Sequence, residues 1–301
     1  MPFPLSYPSF KCVLEHLEAV KRVHIIGRSP GLQKIDKLVP LRLENFYIAN
    51  DRMTINNLWI TCDKDEVYLK MNRKTFSRQR AESQEDTMKK LGHFWISGRS
   101  KIYVDKLNWF CSLPPDVLPV DLKIRVYSLE AGSDFETAIL FIDPQSFPLK
   151  TVVTIPDAST LFDNQVVQFA ETLNLNIIID RIVTVEDLKK LNNKTVVIKS
   201  FWVFRIDIIP LIEYHIETEK DICTTFVIST GDKGFIREKL REFKQAFGKY
   251  RRNLNGLNER FLPGVSRYSI PITDKCRINV YATDESKKGF YNLFVKPVLE
   301  L

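Results

Sequence analysis

The chain has 301 residues, 44% of them hydrophobic, and a formal net charge of +7, enough apolar material for one large or two ordinary folded domains. Its opening, Met1-Pro2-Phe3-Pro4, has neither a basic leader nor an unbroken apolar run, and the apolar stretch at 203–211 is broken by Arg205, Asp207 and Pro210, far short of the roughly 20 residues that span a bilayer. These features argue against secretion and membrane insertion, and a soluble cytoplasmic or nuclear protein is expected. Five scattered cysteines, Cys12, Cys62, Cys111, Cys223 and Cys276, fit reduced thiols acting as small buried hydrophobes rather than a disulfide framework.

The excess charge lies late in the chain: residues 1–50 carry seven Lys/Arg against four Asp/Glu, residues 51–234 carry 23 against 26, and residues 235–301 carry 14 against seven. The last quarter should therefore favour acidic surfaces.

In chain order, residues 1–40 read as three short helices. Phe10, Val13, Leu14 and Leu17 fall at i, i+3, i+4 and i+7 behind Ser9; Val20, Val23 and Ile26 follow; and Leu32, Ile35 and Leu38 come after the Ser29-Pro30-Gly31 break. From Pro40 the period becomes two: Leu58, Ile60 and Cys62 lead through the Asp63-to-Glu66 turn into Val67, Leu69 and Met71, a β-hairpin. The charged stretch 72–90 reads as a solvated loop or exposed helix, and Leu122, Ile124 and Val126 as a one-faced strand.

Beyond residue 145 strands and helices alternate in units of roughly 25–30 residues, the range of irregular leucine-rich or similar repeats. A helix with Val166, Val167, Ala170 and Leu173 on one side precedes a strand at Asn176-Ile177-Ile178-Ile179; Thr184 and Asp187 have capping-box spacing; and strands follow at Thr195 to Ile198 and Phe226 to Ser229. Consecutive apolar residues in these strands suit a sheet covered on both faces. After Gly264 the pattern turns antiparallel, through Tyr268, Arg277 to Tyr281 and Asn292 to Val295.

No chemistry stands out. His16, His24, His93 and His215 have no Cys or carboxylate at metal-ligand spacing, Cys111 lacks a neighbouring base, and no metal, cofactor or catalytic residue is expected. Gly231-Asp232-Lys233-Gly234 has the form of a backbone-clamping Gly-x-x-Gly loop, although an ordinary strand-to-helix turn explains it as well. The helix after it sets Ile236, Leu240, Phe243 and Phe247 on one face and Arg237, Arg241 and Lys244 on another, leading to Lys249, Arg251 and Arg252. That basic ridge is a candidate site for an acidic protein or for nucleic acid, or a solvated face without a function. The sequon at Asn193-Lys194-Thr195 is expected to stay unmodified in a non-secreted protein.

One resemblance narrows the field. The opening Leu5-Ser6-Tyr7-Pro8-Ser9-Phe10-Lys11-Cys12-Val13-Leu14-Glu15-His16-Leu17, with Lys21-Arg22-Val23-His24-Ile25 and Pro40-Leu41-Arg42-Leu43, resembles that of the nematode F-box C proteins. Further similar blocks are Asn72-Arg73-Lys74-Thr75-Phe76, Gly98-Arg99-Ser100-Lys101-Ile102 and Phe141-Ile142-Asp143-Pro144. The start departs from a general F-box in having Ser6 where Pro follows the first Leu and Leu32 where Trp is common. The resemblance implies a substrate adaptor of a cullin-type ubiquitin ligase. A Skp-type adaptor bound to cullin would then meet Leu5, Phe10, Val13, Leu14, Leu17 and Val23, and the remainder would hold an unknown protein target. The alternatives are a stand-alone interaction module and, less favoured, a nucleic-acid-binding module using the turn from Gly231 to Gly234 and the basic helix. The expected fold is α+β: an F-box-like helical segment over 1–40, a β-rich region over 41–145, and a mixed α/β remainder over 146–301 that could form an irregular leucine-rich-repeat-like solenoid.

Overall fold

The structure, a computed structural model, describes residues 7–99, 101–111, 122–156, 159–178, 183–200, 206, 208–218, 223–254, 259–285 and 289–299. It is a mixed α/β fold with a helical N-terminus, and the chain divides into two compact units, Met1–Phe147 and Pro148–Leu301.

In the first unit, helices α1 (Tyr7–His16), α2 (Ala19–Ile26) and α3 (Pro30–Leu38) precede an antiparallel meander of β1 (Leu41–Ala49), β2 (Arg52–Ile55), β3 (Leu58–Asp63), β4 (Glu66–Met71) and β5 (Lys74–Gln79). Three of its turns begin with Asn56, Lys64 and Asn72 at φ values of 53°, 40° and 55°, the left-handed start that two-residue hairpins use to match strand twist. The hairpin expected around Asp63 to Glu66 is β3–β4. The expectation for 72–90 was incomplete: the segment forms β5 and then the start of α4 (Gln84–Ile96). Every residue of β5 is exposed, so no buried side chain marks it in the sequence, and its backbone ladder to β4 holds it as a strand.

Helix α4 leads to β6 (Ile102–Phe110), which pairs in parallel with β1 on one side and with β7 (Ile124–Ala131) on the other, before α5 (Phe135–Leu140). Strand order in this unit is β7-β6-β1-β2-β3-β4-β5, leaving β5 at an end. Leu41, Leu43, Phe46 and Ile48 of β1 are buried. Trp109 stacks on Phe141 at 5.0 Å, and Cys62 Sγ lies 3.7 Å from Met88 Sδ.

In the second unit β8 (Thr151–Thr154), β9 (Thr172–Asn176), β10 (Thr195–Ser200) and β11 (Thr225–Thr230) lie side by side in chain order and parallel. Between them run α6 (Gln165–Phe169), α7 (Val185–Lys189) and α8 (Ile209–Thr218). The helix expected through Leu173 stops at Phe169, and the strand starts at Thr172 rather than Asn176, because Leu173 and Leu175 alternate into the core with half-buried neighbours. The doubly covered pattern holds for β11, where Phe226 to Thr230 are all buried, whereas β8, β9 and β10 alternate buried and half-buried positions. A polar rung joins the strand entries: buried Asn193 donates through Nδ2 to the carbonyls of Val167 (2.8 Å) and Ala170 (2.6 Å), and Thr224 Oγ1 donates to the Asn193 carbonyl (2.7 Å).

Helix α9 (Lys233–Phe247) follows β11, and β12 (Tyr268–Pro271), β13 (Cys276–Glu285) and β14 (Phe290–Leu299) complete the unit as the expected antiparallel set, with β14 beside β11. Phe235, Ile236, Leu240, Phe243 and Phe247 of α9 are buried, and the Tyr268 hydroxyl donates to the Leu240 carbonyl at 3.2 Å. Among the described residues no helix is long and apolar enough to cross a membrane.

Candidate functional site

The N-terminal helices are tied to the first unit by polar anchors as well as apolar packing. The Glu18 carboxylate caps α2, accepting from the N–H groups of Val20 (3.0 Å) and Lys21 (3.1 Å), and its other oxygen accepts from Asn56 Nδ2 (2.7 Å) in the turn between β2 and β3. One side chain thus fixes where α2 begins and which turn it lies against.

Deeper in, Arg22 and Arg99 grip one carboxylate. Arg22 Nε donates to Asp36 Oδ1, while its Nη atoms donate to the carbonyls of Asp36 (2.7 Å), Val39 (2.8 Å) and Pro40 (2.8 Å). Arg99 Nη2 reaches the other Asp36 oxygen at 2.8 Å, and its Nε reaches the Trp95 carbonyl at 2.7 Å. The three charged groups are almost entirely buried, and burial pulls the Arg99 guanidinium below its ordinary range against the raising effect of Asp36. Carbonyls from the end of α3 and from the two residues that join it to β1 satisfy donors that a lone carboxylate could not. Sequence reading missed this cluster. Its one local signal is that Arg22 and Asp36 each sit among apolar residues, Arg22 between Ala19 and Ile26, Asp36 between Leu32 and Val39.

The residues expected to meet a Skp-type adaptor fall into different environments. Leu14 is completely buried in the protein's own core and is not available to a partner in the folded state, because one residue along a helix turns a side chain by about 100° and Val13, 43% exposed, takes the outward position. Phe10, Leu17 and Val23 are half-buried, and Leu5 lies outside the described residues. The sequence reading did not select Ile25, 41% exposed, or Leu38, 59% exposed, which add apolar surface to α2 and α3. Val23 also lines a groove of about 240 Å³ with Ile26, Lys37, Phe94 and Arg99. There the Lys37 ammonium donates to the Phe94 carbonyl at 3.0 Å, and burial, aided by Arg99, pushes its pKa down to about 8.

In the second unit the basic set is placed on the surface. Arg237, Arg241, Lys244, Lys249, Arg251 and Arg252 are all exposed, and none has an ion-pair partner among the described residues. The first three lie on an exposed face of α9 beside its buried one; Lys249 follows its end, and Arg251 and Arg252 approach β12, where the Arg252 N–H donates to the Arg267 carbonyl at 3.1 Å. The turn from Gly231 to Gly234 is less suited to an anion than its spacing suggests. The Asp232 carboxylate caps the helix, accepting from the Gly234 N–H at 2.7 Å, and so sets a negative charge where a phosphate would lie.

Two of the five cysteines depart from the buried expectation: Cys12 and Cys223 are exposed, and Cys62, Cys111 and Cys276 are buried. Short exposed helix and loop positions, rather than apolar periodicity, hold the two exceptions. Burial raises the Cys62 thiol above its ordinary range, against reactivity. Among the described residues no three His, Cys, Asp or Glu side chains gather as a metal site would require.

The architecture is thus that of a mixed α/β protein with helices packed on a sheet at its N-terminus. Residues 83–232 match the family model of a domain of unknown function (DUF3557), a stretch that opens at the N-cap of α4, Ser83, and closes at the N-cap of α9, Asp232. Nothing among curated proteins or solved structures matches the chain.

Proposed function

We propose that the protein is a substrate-recognition adaptor of a cullin-type ubiquitin ligase, working in the cytoplasm or nucleus and performing no chemistry itself. Its N-terminal helices bind a Skp-type adaptor, and the rest of the chain holds a protein target. The observation that carries this reading is the outward apolar surface of the three helices: Val13, Ile25 and Leu38 remain 43%, 41% and 59% exposed after the helices have packed, alongside half-buried Phe10, Leu17 and Val23. Apolar surface on a short helical segment is suited to a partner, and the buried Arg22–Asp36–Arg99 cluster gives that surface a rigid base. The resemblance of the N-terminus to nematode F-box C proteins supplies the partner's identity.

For target binding, we read β8 to β11, parallel strands in chain order each preceded or followed by a short helix, as a few coils of an irregular leucine-rich-repeat-like solenoid ended by the antiparallel strands. Their entry residues, linked by Asn193 and Thr224, support that reading.

The test is affinity purification of the full chain and of a Val13→Glu/Leu38→Glu variant, with thermal melting of both. Both positions are exposed, so the variant should melt as the parent does and lose the Skp-type adaptor and cullin. Absence of both partners from the parent, in cells that contain them, would leave a stand-alone interaction protein. A nucleic-acid-binding function draws support from the six cations around α9 that have no ion-pair partner among the described residues, but the Asp232 cap weighs against it.

A further inference from the structure

The edge of the first unit's sheet carries an inference independent of the adaptor reading. Strand β5 ends the strand order, and all six of its residues are exposed. The two-residue turn makes Met71 and Lys74 the closing hydrogen-bonded pair, and alternation along the ladder then directs the N–H and C=O groups of Thr75 and Ser77 away from β4. Natural proteins usually protect such an edge with proline, a bulge or inward charge. Here Lys74 and Arg78 lie on the strand, but between them Phe76 stands 60% exposed, and β4 pairs with β5 without a bulge in the register.

The charge of the edge strand itself has one sign. Strand β5 carries Lys74 and Arg78 and no acidic residue, with Lys70, Arg73 and Arg80 beside it; the acidic neighbours, Asp65 and Glu66, lie at the far end of the β4–β5 ladder, opposite Arg80 and Gln79. A second copy of the same edge would bring like charges together across the new ladder, which is destabilising. An extended segment rich in Asp or Glu, with apolar residues at alternate positions, would instead neutralise the cations, cover Phe76 and satisfy the outward backbone groups.

We propose that β5 is a docking edge for an acidic, extended segment of a partner protein, which adds to the sheet as a further strand. Backbone pairing with Thr75 and Ser77 supplies the alignment, Phe76 the apolar contact, and Lys74 and Arg78 the charge preference.

The test uses the full chain and three probes: a short capped peptide of alternating glutamate and valine, the same peptide N-methylated at alternate residues on either edge, and its lysine–valine counterpart. The glutamate–valine peptide should bind, and the other two should bind at least about tenfold more weakly, the loss expected when a ladder bond or a charge match is removed. Ser77→Pro removes an outward donor on an edge strand that tolerates proline; it should weaken binding by about tenfold while the melting temperature stays unchanged. Lys74→Glu/Arg78→Glu should abolish the preference for the acidic peptide. Failure of the glutamate–valine peptide to bind at millimolar concentration would overturn the proposal, as would binding indifferent to N-methylation. A single-stranded oligothymidylate that displaces the peptide and binds more tightly would overturn it in favour of nucleic acid on the basic, aromatic ribbon. Because the N-methylated probe acts on the ligand alone, the test stands even if Ser77→Pro disturbs folding.

Discussion

Arg22 and Asp36 lie 14 residues apart in the chain, yet their side chains meet as a buried ion pair that links the middle of α2 to the end of α3. Arg99, 63 residues beyond Asp36, closes the same carboxylate from the other side. The N-terminal helices are thereby bonded to each other and to the chain just past α4.

Removing one member of such a cluster leaves buried charge and unpaired carbonyls. Arg22→Met should lower the unfolding free energy by about 3–5 kcal/mol, measured by urea titration. The paired change Arg22→Met/Asp36→Leu should cost less than the sum of the two single changes, because each single change already breaks the Arg22–Asp36 bond, which their sum counts twice, while Arg99 loses its carboxylate only once. Additive losses would show that the two side chains act separately.

Lys37 sets a pH dependence. Its pKa is lowered from 10.5 to about 8 in the folded chain, chiefly by burial. Below pH 8 its charge is less comfortable folded than unfolded and subtracts from stability; between about pH 8 and 10.5 the unfolded chain binds the proton that the folded chain has released, so stability recovers as pH rises. Lys37→Met should therefore stabilise at neutral pH by at most about 1 kcal/mol, since solvent screens a half-buried ammonium, and by less in mild alkali. Equal gains at both pH values in urea titrations would assign the effect to packing instead.

Asn193 is the corresponding test of the second unit. Asn193→Leu leaves the carbonyls of Val167 and Ala170 without their shared donor, at about 1–3 kcal/mol for each that stays unpaired. Hydrogen exchange should quicken in β9 and β10 and stay unchanged in β1 to β5; a uniform change across both units would contradict a local role.

At α9, Asp232→Ala should lower stability by about 1 kcal/mol through the lost cap, whereas Arg237→Glu/Arg241→Glu, both exposed, should leave the melting temperature unchanged. If the basic ridge takes an acidic partner, the double charge reversal will abolish that binding and the Asp232 change will not.

The family model ends where α9 is capped, and that cap illustrates what was legible. Local relations read well from the sequence: Thr184 and Asp187 form the reciprocal capping box that their spacing announced, with the Thr184 N–H donating to Asp187 at 3.0 Å and the Asp187 N–H to Thr184 Oγ1 at 3.2 Å. The β3–β4 hairpin, the antiparallel strands β12 to β14 and the buried face of α9 were equally visible. In each, the interacting residues are near neighbours whose geometry follows from helix or strand period.

Partners distant along the chain decided the rest. Helical spacing grouped Leu14 with Val13, but the surfaces packed around α1 determined that Leu14 is buried and Val13 is not. Strand β5 has no buried residue and owes its conformation to hydrogen bonds from β4. Asp36 is held by Arg22 and Arg99, which no periodic pattern brings together. The amino-acid sequence by itself determined the short N-terminal helices, the β3–β4 hairpin and the Thr184–Asp187 capping box, because their free energy is set within a few residues; the expected cap Ser9 instead lies inside α1, which begins at Tyr7. Which apolar side chains stay outside, which charges become buried and which strand is left as an edge were decided only by tertiary structure, because burial and ladder pairing depend on segments that approach one another after the local elements have formed.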